Sequence, residues 1–288
     1  MMNPNTPTAP PSGPSDAPSA PLLAFVGGGN MASAILGGLI AAGHPRERVV
    51  VVEPYAPQAQ VARDKFGVRV EPAGAAALAG ADIVVWAVKP QVFAEAAAPC
   101  APFVQGALHL SVMAGIRSDA VAHATGSQRV VRAMPNTPAL IGEGIAGLFA
   151  RTAVTADDRA AIERVLAPTG ETLWVARESD LDAVTALSGS GPAYVFFFLE
   201  AMMQAAADMG LDPAQGRRLA QATFKGATAL ARASDETPET LRSRVTSKGG
   251  TTHAAITAME AAGVKPAIVA ALRAAQARAK ELGDEFGG

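Results

Sequence analysis

The sequence predicts an α/β protein: a doubly wound parallel sheet in the N-terminal half, followed by an all-helical C-terminal half. Three observations carry that reading. Short apolar runs alternate with helical patterns from Leu22 to Ala176, a glycine turn separates the first run from the first helical window, and no strand-like run follows Glu178. Strands that alternate with helices imply right-handed parallel crossovers, and an uninterrupted series of helical windows implies a separate layer.

The first 21 residues hold seven prolines mixed with Ala, Ser, Asn and Thr. No basic stretch precedes an apolar one, so the segment does not read as a secretory signal, and it lacks the side chains to bury a core. We expect a disordered tail over 1–21, an α/β domain over 22–177 and a helical domain over 178–288. In chain order, Leu22–Val26, Val49–Glu53, Asp82–Val88 and Ala107–Val112 read as buried strands, each bounded by Gly, Pro or a charge. Between the first two lies a helix over Asn30–Ala42, with Ile35, Leu36, Leu39 and Ile40 at helical spacing and Gly43 as its stop. Arg129–Ala133, Gly144–Ala150 and Glu171–Ala176 add further strands, with a helix over Ala156–Leu166 before the last. The helical windows that follow are Asp180–Leu187, Gly191–Met209, Pro213–Ala233, Pro238–Val245, Thr251–Ala262 and Lys265–Glu281, and Phe286 with the closing glycines reads as a frayed end. These windows are richer in Ala, Leu and Met than a lone bundle needs, so we expect them to interlock with a second chain.

Composition removes several function classes. Of 288 residues 49% are apolar and 17% charged, and 24 basic against 26 acidic side chains give a net charge of −2. That balance leaves no basic footprint for nucleic acid and no polybasic patch for a membrane. A single cysteine, Cys100, excludes an intramolecular disulfide, and His44, His109, His123 and His253 fall at no metal-ligand spacing, so no metal is expected. No stretch reaches the roughly 20 apolar residues of a membrane span. What remains is a soluble, cytoplasmic protein working on a small molecule.

Val26-Gly27-Gly28-Gly29-Asn30-Met31-Ala32 reads G-x-G-x-x-A at a strand-to-helix junction. Gly27 permits the tight turn, Gly29 lets backbone approach a pyrophosphate, and Ala32 keeps helix and strand close. Glu53 lies 24 residues beyond Gly29 at the end of the second strand. It is placed to accept hydrogen bonds from an adenosine ribose and would repel a 2′-phosphate, although a plain surface glutamate before Pro54 fits the same pattern. Arg46, Arg48 and Arg63 are near enough in sequence to offer a compensating cation.

Ligands of open α/β sheets bind beyond the carboxyl ends of the strands. Lys89-Pro90-Gln91 and Met113-Ala114-Gly115 should therefore border the cofactor. Met134-Pro135-Asn136-Thr137-Pro138 is a rigid loop presenting an amide and a hydroxyl. Ser190, in Leu187-Ser188-Gly189-Ser190-Gly191-Pro192, is a candidate N-cap for the helix after it. In Val245-Thr246-Ser247-Lys248-Gly249-Gly250-Thr251-Thr252, two glycines among four hydroxyls directly before a helix suit a nest of backbone N–H groups around a carboxylate.

Taken together, these motifs resemble the pyrroline-5-carboxylate reductase family. The resemblance rests on Phe25–Ala32, Ala87–Gln91, Met134–Ala139, Asp182–Tyr194 and Val245–Thr252, in the family's order, and covers about Leu22 to Leu282. It implies a Rossmann-type domain, a helical domain that dimerises by intertwining, often within a decamer, and reduction of L-1-pyrroline-5-carboxylate to L-proline with NADPH or NADH. By position it places Val26, Gly27, Gly28, Gly29, Asn30, Met31, Ala87, Val88, Lys89, Pro90, Val112, Met113 and Ala114 at the dinucleotide. Ser247, Gly249, Gly250, Thr251 and Thr252 fall at the substrate, with Asn136 and Ser190 beside it.

Three positions depart from the family's pattern. Glu53 stands where NADPH-preferring members carry Ser or Thr, so NADH should serve at least as well as NADPH. Gly74 stands where some members have an Asn near the ribose, and Lys248 replaces a common Pro. For the chemistry, a protonated cyclic imine is already electrophilic, and the residues need chiefly to orient it. Backbone N–H groups of Gly249, Gly250 and Thr251, with Ser247, would hold the carboxylate, and Thr252 would hydrogen-bond the ring nitrogen. Two other readings remain open from residues alone. One is a β-hydroxyacid reductase using a lysine such as Lys225 as acid and base; the other is a nucleotide-binding module without turnover.

Overall fold

The structure, a computed structural model, describes residues 20–74 and 76–286. The tail expected over 1–21 lies outside the described residues apart from Ala20 and Pro21, as do Gly287 and Gly288. Eight strands form one sheet: β1 Leu23–Val26, β2 Val49–Val52, β3 Arg69–Glu71, β4 Ile83–Trp86, β5 Leu108–Ser111, β6 Val130–Met134, β7 Gly144–Ala150 and β8 Gly170–Trp174. Their spatial order is β3-β2-β1-β4-β5-β6-β7-β8. The helices of this half are α1 Asn30–Ala41, α2 Ala56–Phe66, α3 Phe93–Ala97, α4 Ala101–Val104, α5 Ser118–Thr125 and α6 Ala156–Leu166.

β1, β2 and β4 are buried on both faces because each is apolar at every position, as the four valines of β2 show, and β5 buries His109 and Ser111 beside its two leucines. Alternate residues feed two cores. Leu23, Phe25, Val49, Val51, Ile83 and Val85 pack on one side, while Ala24, Val26, Val50, Val52, Val84 and Trp86 pack on the other.

The sheet differs from the sequence expectation in two respects. β3 is an additional edge strand, paired Val50↔Arg69 through Val52↔Glu71; its Arg-Val-Glu sequence shows no apolar run because an edge strand leaves its side chains partly in water. β6 and β7 are antiparallel, so the sheet is mixed. Only the short 3₁₀ turn Thr137–Ile141 joins them, too little chain for a parallel crossover.

Beyond β8 the described chain is helical: α7 Asp180–Val184, α8 Gly191–Asp208, α9 Pro213–Arg232, α10 Pro238–Arg244, α11 Thr251–Ala261 and α12 Val264–Phe286. The window expected as one helix over Asp180–Leu187 divides into α7 and a π-helical turn, Thr185–Gly189. Ser190 is itself helical (φ −84°, ψ −17°) and its side chain caps nothing, a correction to its expected role. Its N–H instead closes the π turn on the Thr185 carbonyl at 2.8 Å. α8 and α9 form a hairpin in which a Cβ on Gly216 would lie 2.9 Å from that of Ala206, the close approach that small residues permit. Only Ala206 of α8 is buried and no residue of α10 or α11 is, while Phe196, Phe197 and Met209 are exposed. Among the described residues no single helix is long and apolar enough to cross a membrane.

Among the contacts that fix this half to the sheet are two polar clusters. Glu178 accepts from Arg132 Nη1 at 2.9 Å and from both the N–H and the hydroxyl of Ser118 at 2.6 Å. The end of α12 docks on the loop after β5: Arg117 Nε donates to the Gly283 carbonyl at 3.1 Å, and its guanidinium pairs with Asp284 at 2.6 Å. Phe286 packs on the core that holds Trp86, so the expected frayed end is instead a helix continuing five residues past Glu281.

Candidate active site

Register places the site. Val26 is level with both Val52 and Trp86, so Gly27, Glu53 and Ala87 follow on one edge of the sheet. Gly27 N–H donates to the Val52 carbonyl and Ala87 N–H to that of Val26, both at 2.9 Å. Gly27 adopts φ +99°, and a Cβ there would stand 2.7 Å from the Ala87 carbonyl, so the turn admits only glycine. Gly29 has open space where a side chain would be, and α1 starts behind it with no side-chain cap and no acidic residue in its first turn. Free helix N–H groups facing an open backbone fit a pyrophosphate.

A cleft of about 580 Å³ opens on this edge, lined by Val26, Gly27, Gly29, Glu53, Ala87, Val88 and Lys89 among others. Gly28, Asn30, Met31, Pro90, Val112, Met113 and Ala114 do not line it. Of these, Met31 and Val112 belong to one core and Met113 to the other. The far wall escaped sequence reasoning: Tyr55, Pro72, Ala73, Glu95 and Pro99. These residues sit in turns after β2 and β3, on α3 and in the turn that follows it, elements with no motif to mark them. Gly74 belongs to this wall, where a Cβ would meet the Pro99 backbone at 2.6 Å, so the fold itself bars an asparagine there. Such a cleft, apolar at one end and rich in backbone N–H at the other, fits an adenine dinucleotide.

The other expected residues divide. Asn136 Oδ1 accepts from Ile145 N–H at 3.0 Å, so half of its amide braces the β6–β7 turn. Met134, at the end of β6, reaches the π turn, where a Cβ on Gly189 would lie 2.6 Å from its methyl carbon. Ser247, Gly249, Gly250, Thr251 and Thr252 form the loop and first turn of α11. Gly249 takes φ +78°, Gly250 is the helix cap, and no side chain covers the helix start. Gly250 N–H closes the turn on the Ser247 carbonyl at 3.0 Å, a duty that the Gly249, Thr251 and Thr252 amides do not share. None of these five residues lines the dinucleotide cleft of its own chain. Lys225 lines grooves beside α9 and likewise does not line this cleft.

Over 93% of its length the chain is 40% identical to the pyrroline-5-carboxylate reductase of Pseudomonas aeruginosa, covering 99% of that protein. The chain belongs to the pyrroline-5-carboxylate reductase family. A solved pyrroline-5-carboxylate reductase from Coxiella burnetii superposes with a TM-score of 0.85 at 34% identity, covering 91% of this chain and 98% of that one. The Plasmodium falciparum pyrroline carboxylate reductase, solved with NADP bound, gives 0.82 at 27% identity, with 92% and 99% covered. A family model described as pyrroline-5-carboxylate reductase dimerisation matches residues 178–282, and one described as NADP oxidoreductase coenzyme F420-dependent matches residues 22–115. The reductase family's dimerisation segment thus starts at Glu178, the residue that ties the helices to the sheet.

Proposed function

We propose that this protein is an NAD(P)H-dependent oxidoreductase that reduces L-1-pyrroline-5-carboxylate to L-proline, the final step of proline biosynthesis, in the cytoplasm. One observation carries the reading: the glycine-turn cleft occurs in a chain that matches pyrroline-5-carboxylate reductases over nearly its whole length. The cofactor supplies the hydride; the protein's task is to orient the imine carbon toward it and to hold the substrate's charges. Residues 22–177 hold the dinucleotide, with the N-terminal amides of α1 and the glycine turn at its pyrophosphate. Residues 178–288 hold the substrate and the subunit contact.

The hydroxyl-and-glycine loop before α11 is largely exposed in a single chain and does not line its cleft. We therefore assign it to the cleft of a second copy, brought there by a homodimer of the helical halves. The apolar side chains left uncovered on α8 and the dimerisation match support that assembly; a decamer of such dimers is the larger assembly the resemblance implies. In this arrangement the Gly249, Thr251 and Thr252 N–H groups and Ser247 bind the carboxylate. The Thr252 hydroxyl hydrogen-bonds the ring nitrogen, which is already protonated when the hydride arrives at the adjacent carbon. Loss of reduced-nicotinamide absorbance on adding pyrroline-5-carboxylate, with proline as product, tests the reading; no oxidation above the substrate-free rate refutes it.

A further inference from the structure

At the adenosine end of the cleft stands a carboxylate with both oxygens committed. Glu53 Oε2 accepts from Gly28 N–H at 2.8 Å and Oε1 from Tyr55 N–H at 2.9 Å. A ribose hydroxyl can still donate to these oxygens. A 2′-phosphate cannot, and the carboxylate gives way to it only by abandoning two backbone donors.

The three arginines that could offset such repulsion are held elsewhere. Arg48 Nε donates to the Ala20 carbonyl at 2.9 Å, and its guanidinium lies 3.5 Å from Asp82. Arg63 Nη2 donates to the Val70 carbonyl at 3.2 Å, and Arg46 packs over Gly67. The charged residues lining the cleft are Lys89, Glu53 and Glu95, one cation against two carboxylates. The opposite wall cannot acquire a polar side chain at Gly74, because the Pro99 backbone fills that space.

We infer that Glu53 makes NADH the preferred cofactor, which rests on the NAD(P)H reading given above. The test is calorimetric titration of the full chain with NADH and with NADPH, no substrate present. NADH should bind roughly ten-fold tighter, the scale of one added charge repulsion at a half-exposed site. Glu53→Gln, which keeps an acceptor and removes the charge, should narrow the ratio, and Glu53→Ser should tilt it toward NADPH. Equal or tighter NADPH binding by the unmodified protein overturns the inference and leaves the cofactor reading intact. A ratio unmoved by both substitutions also overturns it. Binding of neither dinucleotide overturns the cofactor reading itself, and the inference with it.

Discussion

Thr252 stands two residues past the glycine that caps α11, with its hydroxyl free of any backbone duty in that cap. Thr252→Ala should therefore cost binding and positioning of the imine rather than folding. The expected result is a fall in kcat/KM of roughly a hundred-fold with dinucleotide affinity unchanged. Turnover near the parent's would remove Thr252 from the site. His109 makes a prediction of another kind. Trp86 Nε1 donates to His109 Nδ1 at 3.1 Å, which needs that nitrogen bare. Burial pushes the imidazole from 6.5 down to about 4, the Arg129 charge adding to the drop and the Val104 backbone opposing it. The folded value lies below the unfolded one, so the neutral ring's contribution is whole above about pH 6.5 and is lost as pH falls through about 4, a total of about 3 kcal/mol. Urea midpoints measured from neutral pH into this window should fall for the parent and fall less for His109→Phe. Equal acid slopes would show that His109 plays no part.

At the scale of elements, α1 is seated by a glycine that the motif does not mention. A Cβ on Gly38 would lie 2.7 Å from Pro168 Cβ and 3.3 Å from its carbonyl oxygen. A pyrrolidine ring has little room to yield, so overpacking of about 1–3 kcal/mol should exceed the helix propensity alanine gains, about 1 kcal/mol. Gly38→Ala should lower the thermal midpoint and, because the proposed pyrophosphate site lies at the start of α1, weaken dinucleotide binding; an unchanged midpoint would contradict this packing. The same scale shows what the sequence made legible. β1, β2, β4 and β5 were readable because each buries every residue, and α8 and α9 because their helical windows are long. β3 was not, since an edge strand of Arg-Val-Glu has no apolar signature. The π turn was not, because Ser and Gly in series read as loop. The glycine turn could be read from three glycines and their context, whereas the far wall of the cleft could not: Tyr55, Pro72 and Pro99 meet only when three separate connections fold onto one edge. Nor did sequence reveal that half of the Asn136 amide is spent on Ile145, nine residues away across a turn.

For the whole molecule, the helical half exposes more apolar surface than a lone chain would leave in water. Phe197, 70% exposed on α8, has no neighbour on its own chain to cover it. Phe197→Glu should give a monomer by light scattering that still binds dinucleotide and no longer turns over substrate. A variant that stays oligomeric would place the subunit contact elsewhere. The docking of α12 bears on how the molecule is made. Arg117 finds its partner at Gly283, 166 residues further along, and the half-buried Phe286 packs against a core laid down by the first strands. During translation the early sheet thus leaves the ribosome with one edge of its core uncovered, and the cover arrives only with the final helix. A stalled or shortened product would carry a finished-looking fold with an apolar edge left wet.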